Sequence, residues 1–117
     1  MATQTEGTNL ADLIKYELPR NLSRSLVPSE ALTWAVGEIF EYDATSEQIQ
    51  KLTTAASAGG VVLDAGAVSA GDLVRVLDFG AVVDYSQLDY NSIDEQDTDD
   101  ALRKIGIKVL REATVPS

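Results

Sequence analysis

The sequence predicts a mostly β, α+β domain: a small β-barrel-like body with one C-terminal helix, preceded by an extended N-terminal arm. Three observations lead there. Between residues 38 and 85, short runs of alternating apolar and polar residues are punctuated by Gly, Asp and Ser. Helical start and stop signals frame one long segment, residues 93–105. The first 31 residues hold Pro19 and Pro28, two of the chain's three prolines.

Residues 1–8 are small and polar, and their composition predicts disorder. Residues 9–18 read as a short helix capped by Asn9, with Leu10, Leu13, Ile14 and Leu18 on one face and Pro19 as its stop. Residues 19–30 read as an extended arm or linker, because Pro28 drives Val27 out of helical geometry. From Glu38 to Tyr42 the pattern is that of a strand, led in by Gly37. Asp43–Ser46 supplies turn chemistry, and Gln48–Leu52 returns as the second arm of a hairpin. A loop of small residues follows, then a short apolar strand, Gly60–Leu63.

Gly71-Asp72 leads into Leu73–Asp78, the clearest strand in the chain, which Gly80 breaks. Ala81–Tyr85 reads as a further strand, a continuation past a bulge. Ser92 and Glu95 have the spacing of a capping box. Acids fill the first half of the helix that follows, and Arg103 and Lys104 close its last turn, as the helix dipole favours. Gly106 is placed as the left-handed C-cap, and Ile107–Leu110 reads as a closing strand. Leu102, Ile105 and Val109 are candidate core residues. The expected organisation is an arm over residues 1–31, a body over 32–110 and a tail over 111–117.

Composition narrows the function. Nineteen acidic against nine basic side chains leave a net charge of −10. A phosphate-binding surface needs clustered Lys and Arg, so neither nucleic acid nor an anionic membrane is an expected partner. There is no cysteine and no histidine, so no disulfide, no thiolate nucleophile and no imidazole base. The serines lack a His partner for activation, and no active site is expected. The glycines form no phosphate-cradling pattern, and no cofactor is expected. Asp94–Asp100 superficially suggests calcium, but the sixth position of the loop template is Asp99 rather than Gly and the twelfth is Ile105 rather than Glu. The segment reads as a dipole-matched helix start, with no metal. Trp34 reads as core packing ahead of an interface anchor; Tyr85, Leu88 and Tyr90 face the same choice. The N-terminal stretch Met1–Asn9 has no basic residue and does not fit a secretory signal, so synthesis in a cytosol is expected.

The ordered set of segments resembles the lambda-type bacteriophage head decoration proteins over about residues 20–110. The resemblance rests on the arm, the Gly-led hairpin Val36–Tyr42, the apolar strand Gly60–Leu63, and the pair Gly71–Leu77 and Gly80–Val83. Its most telling part is the ending, an acidic helix start leading through Ala101–Ile105 to Gly106–Val109. The resemblance implies a β-tulip-like fold and a non-enzymatic homotrimer. It further implies that the protein is made in the bacterial host cytoplasm. There it would bind the outer surface of the expanded capsid at threefold sites and bridge major capsid proteins. The implied capsid-binding arm comprises Leu22, Ser23, Arg24, Ser25, Leu26, Val27 and Pro28, adding a strand to a capsid-protein sheet. Two other readings are another virion subunit (tail or head–tail adaptor) and an acidic DNA mimic.

Overall fold

Local alternation, glycine breaks and one capped helix assemble into ten strands and one ten-residue α-helix among the described residues. The structure is a computed structural model, which describes residues 13–17 and 24–111. The strands are β1 (Ile14–Glu17), β2 (Arg24–Pro28), β3 (Thr33–Trp34), β4 (Ile39–Asp43) and β5 (Gln48–Lys51). They continue with β6 (Ala58–Val62), β7 (Gly66–Ala67), β8 (Leu73–Leu77), β9 (Ala81–Asp84) and β10 (Ile107–Leu110). The helix α1 spans Glu95–Lys104.

The largest sheet has five strands in the order β2-β8-β6-β4-β5, all pairs antiparallel. It rolls toward a barrel without closing: β2 and β5 come near each other, but among the described residues the one bridge between these two sides of the roll is Ser29 to Ile49, just past the end of β2. Inside the roll, Phe40, Ile49, Val62, Val74 and Val76 pack with Trp34, beneath the small β3–β7 ribbon. The opposite face of the same sheet contributes Ile39, Val61 and Leu77 to a second core. That core is completed by Val83 and Ile107 from a three-stranded sheet, β1-β9-β10, and by Ala101 and Leu102 of α1. Gly60 lies in β6, between β4 and β8. Its φ is +150°, and a Cβ there would strike the Leu77 carbonyl and the Phe40 ring.

Several segments differ from expectation. Ile14–Glu17 is a strand paired with β9, not the end of a helix. Leu13 is fully buried in the second core, so apolar spacing compatible with a helix is used to complete a sheet. Residues 9–12 lie outside the described residues. Arg24–Pro28 is a regular strand rather than a linker, and it belongs to the five-stranded sheet. The body therefore draws on residues before 32. β9 does not continue β8 past a bulge: the two lie in different sheets, parted by the turn at Asp78–Gly80. The helix starts later than its capping-box spacing suggests. Ser92 has a left-handed φ of 64°, and the cap is Asp94, whose carboxylate accepts the Asp97 amide at 2.9 Å. Gly106 does terminate the helix, at φ +88°, and β10 then pairs parallel to β9, making α1 the crossover of a βαβ unit.

Candidate functional site

β2 is the outermost strand of the five-stranded sheet, and its position follows from one anchor immediately after it. Ser29 is fully buried. Its amide donates to the Asp72 carbonyl at 3.0 Å, its carbonyl accepts the Gly71 amide at 2.8 Å, and its hydroxyl accepts the Trp34 indole N–H at 2.8 Å. The next amide, Glu30, turns the other way and donates to Ile49 at 3.0 Å. Ser29 thus pins the chain between β8 and β5. N-terminal to the pin, β2 runs antiparallel to β8, with Arg24 opposite Leu77, Leu26 opposite Arg75 and Pro28 opposite Leu73.

Side chains alternate across this pair. Val27 packs against the barrel-side core containing Val74 and Val76. Leu26, Leu73 and Arg75 face outward, and Leu26 and Leu73 are 63% and 59% exposed. Arg24, Ser25, Leu26 and Arg75 line a shallow depression of about 430 Å³. Asp64 lies beside Arg75, but its carboxylate is used mainly on the main chain. One oxygen accepts the Arg75 amide at 2.9 Å, and the other reaches the guanidinium only at 3.9 Å.

Of the residues expected in a capsid-binding arm, five, Arg24 to Pro28, form β2. Leu22 and Ser23 lie outside the described residues. Sequence reasoning did not include Leu73 and Arg75 in the site. The alternation of Leu73–Leu77 shows that those residues face one way, but their neighbours across the strand are set only by pairing with β2.

Several acidic residues are tied into the fold, Asp99 of the acidic segment Asp94–Asp100 among them. Glu41 is buried and accepts four hydrogen bonds, from the Thr53 and Thr54 amides, the Thr53 hydroxyl and Gln50. Burial alone would push its carboxyl up, and those bonds outweigh it, holding the carboxyl below the usual Glu value. Glu38, also buried, pairs with Lys51 at 2.7 Å, and the Lys51 ammonium sits 4.7 Å from the Trp34 ring centre. Asp99 accepts the Tyr90 hydroxyl at 2.6 Å and pairs with Arg111 at 2.7 Å. Burial first, and then the Asp99 hydrogen bond, push the Tyr90 phenol up. Arg111 also stacks over Tyr85, its guanidinium carbon 4.1 Å from the ring centre, so the end of β10 is clasped to α1. Trp34 and Tyr90 are buried core residues, and Tyr85 and Leu88 pack against the core. Among the described residues no helix is long and apolar enough to cross a membrane.

The chain matches no protein-family model and no curated protein.

Proposed function

We propose that this protein is a bacteriophage capsid decoration protein. In this reading it binds the outer surface of the expanded head as a homotrimer at threefold sites. It stabilises the shell by bridging neighbouring major capsid proteins. The supporting observation is the placement of Arg24–Pro28, the segment that the resemblance assigns to capsid contact. It forms a sheet margin with Leu26 largely exposed, a surface suited to main-chain pairing with another protein.

The structure changes how that contact would be made. These residues are already paired with β8, so they act as a docked edge that receives a strand, not as a free arm that supplies one. The receiving edge is short, because Pro28 has no amide to donate. Each contact is accordingly weak, and a trimer compensates by raising the effective concentration of the second and third contacts. The tying of Glu41, Glu38, Asp94 and Asp99 to partners within the fold favours this reading over a DNA mimic, whose carboxylates must face outward in a regular array.

The test mixes the full chain with expanded and unexpanded heads that lack it, and follows co-sedimentation and capsid density by electron microscopy. Saturable binding to expanded heads, with density at threefold sites, is expected. No binding to either form overturns the proposal.

A further inference from the structure

We propose that Glu41 is an acid-released latch: when its carboxylate takes up a proton, the loop Thr53–Ser57 comes away from α1 while the sheets stay folded. The device is independent of the capsid reading.

The loop is anchored at its ends and weakly held between them. Leu52 and Ala58, on either side of it, are buried in the second core. Between them, Thr53, Thr54, Ala56 and Ser57 are exposed and Ala55 is only half-buried. The single turn of 3-10 helix at Ala55–Ser57 buries no side chain. Main-chain bonds close it, from the Ser57 amide to Thr54 at 2.9 Å and from the Ala58 amide to Ala55. With so little apolar contact, local opening has a low cost. The turn rests against α1 across a cleft of about 470 Å³, with Thr54–Ala56 on one wall and Asp97, Asp100, Ala101 and Lys104 on the other.

A carboxylate fixes the entry to this loop. Glu41 Oε1 accepts the Thr53 and Thr54 amides at 2.9 and 3.0 Å. Its Oε2 accepts the Gln50 side-chain amide at 2.6 Å and the Thr53 hydroxyl at 2.9 Å. Bonds to an ionised acceptor are roughly twice as strong as neutral ones. The two main-chain amides cannot turn, so an added proton goes to Oε2, where Gln50 and the Thr53 hydroxyl reorient. Oε1 then faces the loop as an uncharged carbonyl. All four donors are uncharged, so none of them is a cation that would keep the carboxylate ionised. The surrounding charges are engaged elsewhere or stand across the cleft. On β4, Asp43 accepts the Thr45 amide; on β5, Lys51 turns to Glu38. β6 places only Ala58 opposite Glu41, and Asp97, Asp100 and Lys104 of α1 line the far wall. Burial pushes the Glu41 carboxyl up, and the four bonds outweigh it and hold it below the usual 4.5. The latch is therefore closed above that value and opens as pH falls through the lower folded one.

The test follows amide hydrogen exchange in the full chain from neutral to acidic pH, each rate expressed as protection relative to an unstructured peptide. Thr53, Thr54 and Ser57 should lose protection roughly tenfold in one step below pH 4.5. The Val62 and Leu63 amides, bonded to the Glu38 and Arg75 carbonyls, should keep theirs. The Ala101 and Lys104 resonances, across the cleft, should shift in the same step. Glu41→Gln should exchange fast at Thr53 and Thr54 already at neutral pH and show no step on acidification. Thr53→Val removes only the hydroxyl bond and should move the step up toward 4.5. Protection at Thr53 and Thr54 that survives until Val62 and Leu63 lose theirs overturns the proposal. So does a step that persists in Glu41→Gln, because another carboxylate then owns it, or one that Thr53→Val leaves in place.

Discussion

The indole N–H of Trp34 donates to the hydroxyl of Ser29 at 2.8 Å, and both residues are buried. Through that bond the chain's single tryptophan, stacked under Lys51, holds the residue at which β2 leaves the rolled sheet. Core packing and the placement of the candidate site are thus joined at one hydrogen bond.

Ser29→Ala leaves the buried indole N–H without its acceptor and should cost about 1–3 kcal/mol. Urea unfolding of Ser29→Ala, Trp34→Phe and the double variant should show that the two changes are not additive. Strict additivity would mean that the bond does not couple β2 to the core. The Ser25–Val27 amides should also exchange faster in Ser29→Ala than in the unmodified chain.

Glu41 makes part of the stability pH-dependent. Its folded carboxyl is held below the usual 4.5, so its contribution is fully present above that value. It is lost as pH falls through the lower folded value. Glu41→Gln should destabilise the protein by about 1–3 kcal/mol at neutral pH, because an amide faces donors that a carboxylate accepted. The difference between variant and parent should shrink as pH falls below 4.5. A gap that stays constant down to strongly acidic pH would show that another carboxylate dominates acid unfolding.

Leu102 is fully buried where α1 packs on the second core. Leu102→Ala should cost roughly 2–5 kcal/mol. An unchanged denaturant midpoint would show that the helix is not packed on the sheets.

Removing residues 1–28 deletes Leu13, β1 and β2 together. One buried Leu side chain alone contributes about 1.5–3 kcal/mol, and β8 would lose its partner strand. The truncated chain should unfold at a markedly lower temperature than the full chain. An unaltered cooperative transition would show that the body begins after β2. Leu13→Ala in the full chain, expected to cost roughly 2–5 kcal/mol, separates the loss of this one core contact from loss of the strands.

The sequence by itself determined the β-rich class, the hairpin β4–β5, the strand at Leu73–Leu77 and the helix with its end at Gly106. Each is written in neighbouring residues: alternation, Asp and Ser turn chemistry, or a glycine that tolerates a left-handed φ. Ile14–Glu17 could not be settled that way, because so short an apolar pattern suits a helix or a strand, and pairing with β9 decides it. The same holds for Arg24–Pro28. Its alternation and Pro28 specify extended backbone, but only the ladder with β8 and the pin at Ser29 make that backbone the margin of a sheet. The candidate site is a feature of that ladder: Leu26 and Arg75 are far apart in the chain and meet across two strands. Local propensity acts over a few residues and can shape each strand. Which strands become neighbours depends on burying both faces of one sheet at once, and that is a property of the whole fold.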